Sequence, residues 1–449
     1  MIVCKFGGSS VANAAQIKKV LDILNESDNR KIAIVSAPGK RYTADIKVTD
    51  LLIQLYNKVI LSEKYDDEKQ RILDRFRSIE EELPLKNSLL IKFNAQLEQY
   101  INQYHNQPLR LLDALKSTGE DFNAQIIAAF NCQNGIKTTY LSPKDIKMIV
   151  SDEPGNAIIL EKSYDLINSM IQNTDGKIII PGFFGVNYHG DIVTFSRGGS
   201  DITGAILSRS VQAEVYENYT DVSGIFAANP TIIDNPAAIH NLTYAEMREL
   251  SYAGFNVFHD EALMPLYKEG IPVNIKNTND PDHPGTMITK SRESTGVVGV
   301  SCDTGFVSIN ITKYLMNREI GFTRRLLTIL EDYQISYEHM PSGIDDLSII
   351  IRKNQFNNNL NTLLNEIQTT LHVDEITVEK DIAILMVVGL GMKTLIGTAN
   401  KATEAFKQHQ INLKMINQGS SEISMMFGIC ESDADQAVKA IYDAYFTAS

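Results

Sequence analysis

The last third of the chain is written twice. Shifted by 76 residues, positions 321–352 lie over 397–428 without a gap. Gly321 falls on Gly397, Gln334 on Gln410, Ile335 on Ile411, Gly343 on Gly419 and Ser348 on Ser424. Apolar positions track as well (Leu330 on Phe406, Met340 on Ile416, Leu347 on Ile423), and the same shift sets the run Val307–Lys313 over Ala383–Gly389. A gapless match of turns and apolar periodicity implies two copies of one supersecondary unit, because each copy must bury its apolar face in the same way. Each reads strand–helix–strand–turn–strand with more pattern after it, a βαββαβ arrangement of roughly 75 residues.

The first two thirds follow a different rule. An apolar run, Ile2–Phe6, meets Gly7-Gly8-Ser9-Ser10 and then a helical pattern from Val11 to Leu24; a second run, Lys31–Val35, ends in Ser36-Ala37-Pro38-Gly39. Strand, glycine turn, helix, strand is the opening of an α/β fold. Residues 49–116 are charged and helically periodic, so helices pack beside the sheet. Strand-like runs at 178–181, 192–195, 213–216 and 273–275 alternate with helical stretches at 201–210 and 244–250. This predicts a mostly parallel sheet covered by helices on both faces. The polar segment Ser291–Gly296 is the expected boundary, giving units 1–295, 296–380 and 381–449, the last two intertwined.

Charge narrows the partners. Lys+Arg number 42 against 55 Asp+Glu, a formal net charge of −13. That argues against a nucleic acid or a membrane surface as partner, while a local anion site needs only a few amides and one cation. Cys4, Cys132, Cys302 and Cys430 are scattered without a CxxC pair, which suits a reducing compartment. The start MIVCKFGG has no signal-peptide pattern, and no apolar run approaches ~20 residues. The expectation is a soluble cytoplasmic chain. His189, His259 and His339 lack partners at ligand spacing, so no protein metal site is expected.

Four segments could carry chemistry. Lys5-Phe-Gly-Gly-Ser-Ser10 sits between a strand and a helix, where glycines let amides approach an anion and Lys5 can meet a phosphate oxygen. On its own it equally describes a tight turn with a surface lysine. Pro181-Gly-Phe-Phe-Gly185 followed by Ser196-Arg-Gly-Gly-Ser-Asp201 repeats the glycine turn before a helix; Arg197 can fork onto a carboxylate, and Asp201 can orient a lysine or serve as a helix-dipole charge. Thr220-Asp-Val-Ser-Gly-Ile-Phe226 can grip a nucleotide at a strand's carboxyl end, or be a plain loop. Glu120, in Lys116-Ser-Thr-Gly-Glu-Asp121, can receive an ammonium.

Taken together, KFGGSS at 5–10, Ser36, Val48-Thr49-Asp50, Gly119-Glu120, GFFG at 182–185, SRGGSD at 196–201, TDVSGI at 220–225 and the paired repeat resemble the aspartokinases of the amino-acid kinase family, with tandem ACT modules at the carboxyl end. The resemblance covers nearly the whole chain. It implies ATP-dependent phosphorylation of the β-carboxylate of L-aspartate, the entry to lysine, threonine and methionine synthesis. By resemblance, Lys5, Gly7, Gly8 and Ser9 cradle the phosphates and Asp201 organises Lys5 and the magnesium-phosphate region. Arg197, beside Gly198, clamps the α-carboxylate of aspartate and Glu120 holds its ammonium. Ser36, Thr49, Phe183 and Ser200 line the substrate, while Thr220, Asp221 and Phe226 contact ATP. Mg²⁺ arrives mainly on the nucleotide phosphates.

The chain departs from the family's KVLHP with Asn256-Val-Phe-His-Asp260, so the nucleotide-contacting lysine is missing. Lys276 is the expected replacement. The ACT pair implies a homodimer or higher assembly and an amino-acid effector near Met316, Gly321, Phe322, Ser336, Glu338 and Asp345. The acids there favour lysine as inhibitor, with threonine second. Two alternatives stay open: another amino-acid kinase, against which the repeat argues, and a non-catalytic ACT amino-acid sensor that retains the kinase shell.

Overall fold

In the computed structural model the described residues are 1–196, 198–252, 254–255, 258, 262–293, 296–356 and 359–447. They form two compact units. One comprises 1–225, 239–248 and 256–292; the other comprises 226–238, 249–255 and 293–449. A cut at 295/296 therefore does not separate them cleanly, because two earlier segments belong with the later unit.

In the first unit the alternation of apolar runs and helical patterns becomes β1 (Ile2–Phe6), α1 (Ala14–Asn25), β2 (Arg30–Val35), then four helices: α2 (Val48–Ile60), α3 (Asp66–Glu82), α4 (Leu90–Tyr104) and α5 (Pro108–Gln133). There follow β3 (Thr138–Tyr140), α6 (Ser163–Gln172), β4 (Lys177–Pro181), β5 (Phe184–Val186), β6 (Ile192–Thr194), α7 (Gly199–Ser210) and β7 (Val215–Thr220). After the short strands β8 (Ile225–Phe226) and β9 (Ala238–Ile239) come β10 (Asn241–Thr243), α8 (Tyr244–Tyr252), α9 (Leu263–Glu269), β11 (Val273–Asn277) and β12 (Thr286–Thr289). The main sheet has eight strands in the order β10-β12-β11-β7-β1-β2-β4-β3, all neighbours parallel except β11 with β12. The run at 192–195, expected in this sheet, instead pairs with β5 in a separate hairpin.

Alternation along the strands assigns the two faces. Cys4, Phe6, Ala33, Val35, Ile179 and Tyr219 point into one core shared with α1–α5. Within it Phe93 and Phe122 stack at 4.0 Å, and Phe76 meets each edge-on at 5.7 and 5.5 Å. Burying such rings stabilises by roughly 1.5–3 kcal/mol each, which holds α3, α4 and α5 together. Lys5, Tyr216 and Asn218, of opposite parity, face α7: Lys5 and Asn218 reach Asp201, and Gly204 leaves room for the Tyr216 ring.

The second unit resolves the repeat. It runs β13 (Gly299–Thr312), α10 (Phe322–Asp332), β14 (Asp346–Arg352), α11 (Leu360–Leu371), β15 (Glu375–Val388), α12 (Thr398–Gln408), β16 (Met415–Asn417), β17 (Ser424–Cys430) and α13 (Ala434–Tyr442), and its five strands form one sheet in the order β14-β13-β15-β17-β16. β13 and β15 are each long enough to serve both modules. Residues 306–312 pair with β14 and with 375–382, building the first module. Residues 299–303 pair with 384–388, beside β17. The last strand of the second module thus precedes the first module in sequence, and the first is inserted within the second. The earlier segments are tied to this unit by hydrogen bonds: Val300 N donates to Ala227 O (2.7 Å), Ala237 N to Tyr442 Oη (2.8 Å) and Ser424 Oγ to Glu249 Oε2 (2.9 Å).

Candidate active site

A parallel sheet leaves its strand carboxyl ends open where neighbouring connections diverge to opposite faces. Here β7, β1, β2 and β4 are adjacent, and the segments leaving them surround a cleft of about 630 Å³. Of the residues singled out in the sequence, Lys5, Gly7, Gly8, Ser9, Ser36, Thr49, Glu120, Phe183, Gly198, Ser200, Asp201, Thr220 and Asp221 all line it. They come from seven separate stretches of chain, which the fold converges.

At the floor, Lys5 Nζ lies 2.7 Å from Asp201 Oδ1. Both residues are about 9% exposed. Asn218 Nδ2 donates to the same Oδ1 at 2.8 Å, so Asp201 is anchored from the sheet as well as paired. The first glycine turn is pinned by Gly7 N donating to Tyr219 O at 3.0 Å. The turn after β2 packs against it: Gly39 N donates to Gly8 O at 2.8 Å, and a Cβ on Gly39 would stand 2.6 Å from the Gly8 carbonyl carbon.

α7 begins with Gly198 in the left-handed region (φ 73°), which swings Ser200 and Asp201 into the cleft. Ser36 Oγ donates to Ser200 Oγ at 3.0 Å, joining the turn after β2 to this helix. Phe183 is also left-handed (φ 80°), a strained choice for an aromatic residue, held by its N–H to Thr203 Oγ1 at 3.0 Å and by Lys116 Nζ 4.7 Å from its ring centre.

Glu120 enters from α5. Gly119 brings that helix close: a Cβ there would lie 2.8 Å from the Ala37 Cβ. Asn123, one turn on, donates to Ser36 O at 2.8 Å. Glu120 is 6% exposed, and its Oε2 has no partner. Burial pushes its carboxyl up to about 8, opposed by the backbone N–H of Ala37. A buried acceptor facing a cleft and lacking a donor is a site for a ligand's N–H.

Three expected site residues stand apart. Arg197 lies outside the described residues, as do Asn256, Val257, His259 and Asp260 of the departing segment. Phe226 groups with the carboxyl-terminal unit and is not in the cleft lining. Lys276, on β11 beside Tyr219, is not among the residues lining this cleft. Sequence reading missed Lys40 and Lys47, which do line it. Their signal was position: Lys40 follows the turn at a strand's carboxyl end, where ligands bind in such sheets. Among the described residues no group of three metal-ligating side chains exists. No helix of the described chain is long and apolar enough to cross a membrane.

In the second unit the two candidate effector segments meet. Lys313 N donates to Asp345 O (2.8 Å) and Leu315 N to Asp345 Oδ1 (2.9 Å), setting Asp345 beside the buried Met316 turn. Gly321 caps α10 at φ 81°, ahead of buried Phe322. Ser336 Oγ donates to Gln355 Oε1 at 3.0 Å. Glu338 is already engaged by Arg352 Nε at 3.1 Å, so its charge is partly answered within the protein.

Known proteins share this chain's sequence and fold. The profile described as amino acid kinase family matches residues 1–277, and that of the ACT domain matches residues 385–445. Aspartokinase 3 of Bacillus subtilis (strain 168) is 48% identical over 99% of both chains. The crystal structure of Clostridium acetobutylicum aspartate kinase superposes with a TM-score of 0.86 at 38% identity, over 99% of this chain and 100% of that one. E. coli aspartokinase III shares the fold at 22% identity in complex with aspartate and ADP (TM-score 0.81) and at 21% with lysine and aspartate (0.76), each over 99% of this chain and 99–100% of that one. The chain belongs to the amino acid kinase family, among its aspartokinases.

Proposed function

We propose that the chain transfers the γ-phosphate of MgATP to the β-carboxylate of L-aspartate, giving 4-phospho-L-aspartate. The observation that carries this reading is the pairing, in one cleft, of a phosphate-type cradle around Lys5 with the unpartnered buried carboxylate oxygen of Glu120. The first suits a nucleotide's transferring phosphoryl group, the second an amino acid's ammonium.

The nucleophile has a pKa of about 4 and needs no general base at neutral pH. The difficulty is bringing two anions together. Lys5 and the amides of Gly8 and Ser9 meet the charge that builds on the phosphoryl oxygens. Asp201 keeps the Lys5 ammonium aimed. Glu120 fixes the ammonium end of aspartate, and Ser36, Thr49, Ser200 and the Phe183 ring bound the space for its carboxylates. Arg197 is assigned to the α-carboxylate. Holding both reactants so converts encounter into an intramolecular step. Asp201 and Asp221, both lining the cleft, would offer oxygen donors to a magnesium ion carried on the nucleotide, which would supply charge neutralisation at the phosphates.

The ACT unit makes the enzyme a target for feedback. Lysine is the proposed inhibitor, bound near Met316 and Asp345, and a homodimer built through these modules is the proposed assembly. The lysine complex of the E. coli relative supports the choice. The place in lysine, threonine and methionine synthesis follows from the product. Aspartate-dependent ADP release, with hydroxylamine trapping of the acyl phosphate and titration of lysine, tests all of this. No hydroxamate would sink the kinase reading; full activity in lysine would sink the regulatory one.

A further inference from the structure

The loop from Gly39 to Lys47 carries two lysines that the reading above leaves without a role. Lys40 and Lys47 both line the cleft and both are exposed. The contact of Lys40 Nζ is a neutral one, the Thr43 carbonyl at 3.4 Å. They stand at the two ends of the loop, Lys40 next to the Ser36–Gly39 turn and Lys47 two residues before Thr49.

The loop is held from below. Asp45, 8% exposed, accepts the Arg41 backbone N–H (2.9 Å), Arg41 Nε (2.9 Å) and Nη2 (3.0 Å), and Arg75 Nη1 (2.6 Å). Arg75, on α3, is only 4% exposed. Its Nη2 donates to Gly39 O at 2.6 Å and to Ala12 O at 3.1 Å. One guanidinium therefore grips the residue before Lys40, the carboxylate two residues before Lys47, and the chain just after the first glycine turn. Desolvating a guanidinium is costly, and here it is offset by one carboxylate and two carbonyls, all belonging to segments that shape the cleft.

We infer that Lys40 and Lys47 bind the carboxylates of the acceptor amino acid, with Arg75 as the positioning residue that holds them over the cleft through Asp45 and Gly39. This rests on the proposed reaction. The loop's flanks, Ser36 and Thr49, bound the acceptor's side of the site, while Lys5 already answers the phosphates. A dicarboxylate approaching a triphosphate gains most from extra cations on its own side, since exposed charges attract within about 8 Å at physiological salt.

Steady-state kinetics on the full chain test it. Lys40→Met and Lys47→Met should each raise KM for aspartate about fivefold, with KM for ATP unchanged and kcat falling less than KM rises. Arg75→Met should raise KM for aspartate too, and Arg75→Lys should restore part of it. In the Lys40→Met/Lys47→Met background, Arg75→Met should add nothing further to KM, since the lysines through which it acts are gone. If Arg75→Met does not fold, Asp45→Asn takes its place with the same expectation. An unchanged KM for aspartate in both lysine variants, a rise in KM for ATP instead, or an Arg75 effect that multiplies undiminished in the double-lysine background would overturn the inference. Wild-type protein without aspartate-dependent turnover would remove the parent reading and this one with it, whereas active wild type with indifferent lysine variants removes this one alone.

Discussion

Lys5 Nζ and Asp201 Oδ1 lie 2.7 Å apart inside the cleft, on a strand and a helix that are almost two hundred residues apart in the chain. Neither charge could sit there alone: leaving one partner of such a buried pair costs about 3–5 kcal/mol. The pair is thus a sensitive point for both stability and turnover. Lys5→Met should lower kcat by roughly 10³-fold, the scale of losing a donor aimed at developing charge. Asp201→Asn keeps the Asn218 side free to bond but releases Lys5, and should cost roughly 10²-fold in kcat. Melting curves separate the two effects. Near-normal kcat in folded Lys5→Met protein would end the mechanism.

The Glu120 carboxyl, pushed up to about 8 by burial, predicts a pH signature. Its ordinary value is about 4.5, so between there and about 8 the folded state holds a proton that the unfolded chain has lost. Stability therefore falls as pH rises across that window, and Glu120→Gln should flatten the fall. Binding the substrate ammonium favours the ionised form. The free protein must then release a proton on binding aspartate below pH 8, and KM for aspartate should drop as pH rises from 6 to 8. Calorimetry in buffers of different ionisation enthalpy reads the proton directly. A Glu120→Gln variant with the same KM profile would detach Glu120 from the ammonium.

How much of this the chain announces depends on what kind of signal each part gives. The cradle was legible because strand, glycine pair and helix must be contiguous: Ile2–Phe6, Gly7-Gly8 and the helix after them cannot be rearranged by tertiary packing. Glu120 was legible as a residue but not as an orphan, since its isolation depends on Gly119 admitting Ala37 across the core. Lys40 and Lys47 were missed because a polar loop has no period, and only the buried Arg75 beneath it makes it a fixed part of the site. Lys276 was named only as a replacement for the missing lysine; β11 sets it beside Tyr219, and it is not among the residues lining the cleft. Strand pairing decides that, and pairing is non-local.

Gly39 tests whether the two turns must touch. A methyl there would stand 2.6 Å from the Gly8 carbonyl carbon and 2.7 Å from its oxygen, backbone against backbone, with no side chain able to yield. Gly39→Ala should separate the turn after β2 from the phosphate cradle and weaken the Gly39–Gly8 hydrogen bond. Overpacking of this kind costs about 1–3 kcal/mol. The expected result is a lower Tm together with a loss in kcat/KM of at least about tenfold, since small misplacements of reacting groups are expensive. Gly135→Ala, at a left-handed turn with nothing within 4 Å, is the comparison: it should lose some stability from backbone strain while leaving kcat/KM intact. Equal kinetic effects in both would dissociate the close approach from catalysis.

The insertion of one ACT module within the other makes a prediction that the repeat alone would get wrong. Counting by self-match, a fragment from Gly305 to Thr447 holds both copies entire. By strand pairing it lacks Gly299–Asp303, the neighbour of residues 384–388 and the closing strand of the second module. Val300 and Ser301 are both almost fully buried there, and β15 would be left with an open edge. A fragment from Gly296 to Thr447 retains the strand. The longer fragment should unfold cooperatively, and the shorter should melt roughly ten degrees lower or aggregate through that edge. Circular dichroism melts and light scattering on the two fragments decide it. Matching Tm values would mean that the second module closes without the strand that precedes the first.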